Sequence, residues 1–148
     1  VAFIINPIMT EKLILVTGAT GYVGGRLAPR LLEAGYRVRC LVRDPARLEG
    51  FAWAKRVEIV TCDLSDPVRA AELMRGVSAA YYLIHGQQGG QINAGRDLQV
   101  ARNFTSAAEQ AGIERIIYLG ELVDPTARLS PYLRSPLSSQ ANERISAS

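Results

Sequence analysis

The chain has 148 residues, 48% of them hydrophobic and 21% charged, proportions of an ordinary globular domain and far from those of disordered or fibrous chains. That length is enough for one domain with its own core. The net charge of +3 comes from arginines spread along the chain, without the basic face or recognition module that a nucleic-acid binder needs.

The longest uninterrupted apolar stretches are about six residues, far short of the roughly twenty that a membrane helix requires. Val1 to Ile8 lacks the basic start and the apolar length of a signal peptide. A cytoplasmic domain with no membrane or nucleic-acid partner is the expectation. Cys40 and Cys62 lie in apolar runs, the setting of small buried thiols, and their number and spacing suit neither a disulfide framework nor a metal. Met9-Thr-Glu-Lys12 has the look of a natural beginning, so the first eight residues are read as an upstream addition within an N-terminal extension, residues 1–11, that precedes the domain.

From Lys12 onward, β-branched runs alternate with stretches of helical period, the pattern of repeated βαβ units. The first strand is predicted at Leu13 to Thr17 and its helix at Tyr22 to Ala34, with Val23, Leu27 and Leu31 as the apolar stripe and Gly35 as the stop. A second strand, Arg37 to Val42, leads to a short helix opening on Pro45. The third strand is Val57 to Thr61. Asp66 and Pro67 then read as N-cap and first residue of a helix that buries Val68, Ala71, Leu73, Met74 and Val77. A fourth strand, Ala79 to Ile84, precedes a polar, glycine-rich loop from His85 to Gly95. A longer helix, Arg96 to Gln110, stops at Gly112, and Ile116 to Leu119 makes the fifth strand. These elements predict an α/β fold, a doubly wound parallel sheet in the order 3-2-1-4-5 between two helical layers, over residues 12–122. After Leu122 the prolines and serines read as loop and irregular tail, residues 123–148, with no substrate-binding portion.

Gly18, Gly21 and Gly24 sit between an apolar strand and an amphipathic helix, the context that turns a glycine-rich loop into a strong signal. The first glycine permits the tight turn, the second lets the backbone approach a pyrophosphate, and the third lets helix and strand pack closely. Unpaired N–H groups and the positive end of the helix dipole then face the anion. About twenty residues on, where NAD binders place an acid and NADP binders an arginine, stands Arg43, whose planar guanidinium suits a 2′-phosphate. Asp44 is next and could still serve NAD, so NADP(H) is the preferred cofactor with NAD(H) open. Arg39 lies deeper on the same strand face and reads as structural. Asp63 and Leu64 can set a carboxylate and an apolar side chain against adenine, or simply form a helix-entry turn. Ile84, His85 and Gly86, ending the fourth strand, would lie at the nicotinamide end. His85, the only histidine, reads as a polar loop residue rather than a catalyst.

Together, Val16-Thr-Gly-Ala-Thr-Gly-Tyr-Val-Gly24, Val38-Arg-Cys-Leu-Val-Arg-Asp-Pro45, Cys62-Asp-Leu64 and Arg115-Ile-Ile-Tyr-Leu-Gly120 resemble the short-chain dehydrogenase/reductase superfamily. The resemblance is closer to its atypical, NmrA-like and nucleoside-diphosphate-sugar epimerase-like members and covers about Leu13 to Leu122. It implies that Thr20, Tyr22 and Val23 line the diphosphate, that Arg43 meets the adenosine phosphate, and that Asp63 and Leu64 frame adenine. Active members pair a tyrosine with a lysine four residues later, which lowers the phenol's pKa for proton exchange during hydride transfer. Here Tyr118 is followed at that distance by Leu122 and Tyr132 by Pro136, and Gly120-Glu121 replaces the usual serine.

The expected function is the NADP(H)-binding domain of an oxidoreductase or epimerase-like protein, catalytic residues and substrate unassigned. Such a domain should bind a small-molecule dinucleotide yet turn over poorly alone, with no metal. The alternative is an NmrA-like redox-sensing regulator that binds the dinucleotide and signals to a protein partner; self-association stays open in both. A truncated product without function of its own is a third reading of the proline- and serine-rich end.

Overall fold

Apolar runs too continuous for a half-exposed sheet require helices on both faces, and the chain folds accordingly. The structure, a computed structural model, describes residues 12–84 and 94–119. Among these, β1 (Leu13–Thr17), β2 (Arg37–Val42), β3 (Glu58–Thr61), β4 (Val77–Tyr82) and β5 (Arg115–Tyr118) are the strands. The α-helices are α1 (Tyr22–Glu33), α2 (Pro67–Leu73) and α3 (Ala94–Gln110), with short 3₁₀ helices at Pro45–Leu48 and Ala52–Arg56. The sheet order is β3-β2-β1-β4-β5 and each neighbouring pair is parallel. This is the expected Rossmann-type order, in which the strand path reverses between β1 and β4.

Alternation along β1, buried at every position, divides the interior in two. Leu13 and Leu15 face the cluster beneath α2 and α3 with Met74 and Phe104, while Ile14 and Val16 face α1 with Ala28, Leu31, Leu48 and Trp53. Both cysteines are buried and free. Burial pushes the Cys40 thiol up to about 12, and burial followed by the charges of Asp66 and Asp63 raises Cys62. Both are therefore inert, protonated hydrophobes at neutral pH.

Several local expectations hold. β1 and β2 have the expected bounds, and Gly35 and Gly112 take the left-handed φ values of +86° and +72° that end α1 and α3. Asp66 caps α2 by accepting from the Arg69 N–H, with Pro67 in the first turn. Others need correction. The buried stripe of α1 is Gly24, Ala28 and Leu31, whereas Val23 is 41% exposed at the helix start. α2 buries Ala70, leaving Val68 64% exposed, and it ends at Leu73 because Gly76 turns the chain at φ +77°. Val77 is therefore the first residue of β4, not the last of a helix, and the strand runs two residues ahead of the expected span. Register with β1 shifts between Leu13 and Ile14, paired with Val77 and Ala79, a bulge that absorbs the extra residue. The 3₁₀ helix at Ala52–Arg56 is too short for periodicity to reveal; Phe51 and Trp53 meet there as a tilted pair, ring centroids 5.0 Å apart, on the α1 side.

Arg39 is structural, as expected. Its guanidinium holds Glu58 across the β2–β3 pair at 2.7 Å and donates to the carbonyls of Leu73 and Arg75, clasping the end of α2 to the sheet. Burial raises the Glu58 carboxyl pKa, but hydrogen bonds and charges from Arg39 and Arg37 outweigh it and hold the group below its ordinary value. The predicted extension and tail, residues 1–11 and 123–148, lie outside the described residues.

Candidate functional site

The candidate site lies beyond the C-termini of β1 and β4, the adjacent strands at which the strand path reverses, where open parallel sheets place their ligand crevice. Thr17, fully buried at the end of β1, stitches the two strands together: its hydroxyl donates to the Tyr81 carbonyl at 3.1 Å and accepts from the Leu83 N–H at 3.2 Å. Thr17 was unremarked in the sequence, although a lone hydroxyl closing an otherwise apolar strand is the signal that could have exposed it. The stitch draws Leu83 against the turn that follows β1. Gly18, at φ +70°, lies so close that a Cβ would stand 2.7 Å from the Leu83 carbonyl oxygen.

Gly24 closes the turn from the other side. A Cβ there would overlap the Gly18 carbonyl oxygen and stand 2.7 Å from the Ala19 Cα, so the missing side chain is what lets α1 rest on the loop. Gly21 is different. It is exposed, its φ of −86° suits any residue, and a Cβ would meet only the Gly18 carbonyl oxygen, at 3.3 Å. The fold therefore constrains position 21 much less than it does positions 18 and 24.

Gly21 is also the N-cap of α1 and offers no side chain to the helix. α2 and the first 3₁₀ helix, by contrast, are capped by Asp66 and Asp44. The first N–H groups of α1, on Tyr22, Val23 and Gly24, have no acceptor within the helix and carry the positive end of its dipole. Tyr22 is 75% exposed beneath the Arg26 guanidinium, 3.7 Å from the ring centroid, and Val23 and half-buried Thr20 flank it. α1 thus presents uncapped donors in its first turn together with exposed Tyr22 and Val23 and the Arg26 guanidinium, features that suit an anion.

Along the sheet edge, Arg43 directly follows β2, exposed and without a hydrogen bond or ion pair among the described residues. Asp44, its rival for the ribose, has one carboxylate oxygen engaged: Oδ1 accepts from the Ala46 N–H at 3.1 Å. After β3, Asp63 is exposed, and its Oδ1 accepts from the Ser65 N–H at 3.0 Å. Leu64 is only 4% exposed and its side chain belongs to the cluster beneath α2 and α3. The expected apolar contact from Leu64 to a base is therefore not available; what it can offer outward is backbone. Ile84 is half-buried, packed on the same cluster just past β4. His85 and Gly86 lie outside the described residues. Tyr118 packs against that core, its ring stacked 6.1 Å from Tyr82.

A glycine turn leading into an exposed, uncapped helix N-terminus suits the phosphates of a dinucleotide, and comparison with known proteins decides the family. A family profile described as NAD(P)H-binding matches residues 18–137. The chain belongs to the NAD(P)H-binding family. A Synechocystis sp. protein provisionally named dihydroflavonol 4-reductase is 34% identical over 108 residues, 70% of this chain and 31% of that protein. Citrobacter sp. triphenylmethane reductase, complexed with NADP(H), matches at a TM-score of 0.69 and 25% identity, over 90% of this chain and 46% of its own. UDP-glucose-4-epimerase from Stenotrophomonas maltophila, bound to NAD, matches at a TM-score of 0.73 over 93% of this chain and 49% of its own; at 19% identity the likeness is one of fold. The chain spans about a third to a half of these proteins. It is an NAD(P)-binding Rossmann domain, and the likeness to atypical short-chain dehydrogenases read from the motifs stands. Among the described residues no helix is long and apolar enough to cross a membrane.

Proposed function

We propose that this domain holds NADP(H), in preference to NAD(H), for a reductase or epimerase-like reaction on a small molecule. The observation that carries the reading is the exposed Arg43 guanidinium just past β2, unpaired among the described residues. A free guanidinium attracts a 2′-phosphate, and an aspartate pointing into the same place would repel it. The diphosphate would be held by the N–H groups of Tyr22, Val23 and Gly24, and the adenine by the free Asp63 oxygen with the Leu64 N–H, an acceptor and a donor side by side. When bound, the cofactor supplies or accepts hydride; the protein orients it. Thr17 and Gly18 hold the turn after β1 against Leu83, just past β4, and the nicotinamide end is assigned, in the same proposal, to Ile84, His85 and Gly86. The cytoplasmic setting belongs to the same reading, supported by two buried free thiols.

The regulator alternative draws no support from matched proteins named as reductases and an epimerase. Calorimetric titration tests the Arg43 assignment. The parent is expected to bind NADP+ at least about tenfold more tightly than NAD+, the difference of one charge-assisted contact, and Arg43→Asp to lose or invert that preference. Equal affinities in the parent would remove the assignment.

A further inference from the structure

The turn that carries Asp63 is held from a distance. Asn103 on α3 donates from Nδ2 to the Leu64 carbonyl at 2.8 Å. Its own amide is oriented one turn earlier by Gln99, whose Nε2 donates to Asn103 Oδ1 at 2.9 Å. The N–H of the same Leu64–Ser65 peptide unit donates to Asp63 Oδ1. A peptide unit is rigid and planar, so fixing its carbonyl on α3 fixes the direction of its N–H, and with it the Asp63 carboxylate. α3 is a firm anchor for this purpose, because Phe104, the next residue, is 1% exposed and packs on Tyr82 at 4.8 Å.

From this chain of contacts we infer that Asn103 is a positioning residue for base recognition, aiming the exposed carboxylate of Asp63 through the Leu64–Ser65 peptide. The inference rests on the reading of Asp63 as the adenine acceptor. A carboxylate free to swing is solvated by water and accommodates several base edges. One held in place accepts from an exocyclic amino group and repels an oxo group in the same position, so orientation becomes selectivity. A merely structural Asn103 would tie α3 to the turn and, when removed, weaken all nucleotides alike.

Affinities for NADP+ and for its hypoxanthine analogue, which bears an oxo group in place of the adenine amine, separate the two. The parent chain should favour NADP+ by about tenfold, the worth of one hydrogen bond to a charged acceptor. Asp63→Ala should abolish the preference, and Asn103→Ala should remove most of it with Asp63 intact. Where Asn103→Ala fails to fold, Asn103→Asp, similar in size and without the donor, is measured instead. A parental preference preserved in the folded Asn103 variant but lost in Asp63→Ala overturns the role of Asn103 and leaves the Asp63 reading standing. A parent that binds both dinucleotides equally, or a preference that survives Asp63→Ala, overturns both.

Discussion

Replacing Gly24 by alanine is expected to lower the melting temperature by roughly 10 °C, about 3 kcal/mol, and to abolish dinucleotide binding with it. The added methyl has nowhere to go: its neighbours are the Gly18 carbonyl and the Ala19 Cα, backbone atoms that no rotamer change can move. Relief requires α1 to lift from the loop, which pulls Ala28 and Leu31 from the core they share with Ile14 and Val16. Against a total stability of about 5–15 kcal/mol, that is a large fraction. Thermal denaturation followed by circular dichroism checks it, and a melting point within about 2 °C of the parent would show that the loop and helix are not packed as described.

Gly21→Val should do the reverse, leaving the fold nearly untouched while weakening NADP+ by about a hundredfold, or ~2.8 kcal/mol. Backbone at φ −86° and ψ 175° is comfortable for a β-branched residue. The one tight neighbour is the Gly18 carbonyl oxygen, 3.3 Å from the new Cβ, so a shift of a few tenths of an ångström admits it and the stability cost stays near 1 kcal/mol. The valine methyls, however, stand beside the N–H groups that must reach the phosphates. Paired melting and calorimetric measurements distinguish the two glycines: 24 serves packing, 21 serves the ligand. Parental affinity in Gly21→Val would mean that the diphosphate lies elsewhere.

The strand order and most helix limits were legible because they rest on local chemistry: apolar runs for β1 and β2, Asp66-Pro67 at the head of α2, and Gly35 and Gly112 at helix ends. Errors came where a residue's fate depends on what it packs against. Val23 and Val68 read as core from spacing alone, yet one lies beside the open end of α1 and the other on the outer side of α2. Val77 was drawn into a helix because periodicity does not register the left-handed turn at Gly76. In the site, the three glycines and Arg43 were visible from motif and position, whereas Thr17 and Asn103 act through contacts 64 and 39 residues away in sequence, which no pattern in one chain announces. Leu64 was visible as a residue and misread as a surface, since only the fold assigns its side chain to the interior.

The grip of the α1 amides on the diphosphate is tested most directly by following backbone amide resonances of the chain while NADP+ is added. Those of Tyr22, Val23 and Gly24 should shift in step with the saturation measured by calorimetry, among the largest changes in the spectrum. Resonances of these three that stay in place while others move at saturation would contradict the assignment of the cradle.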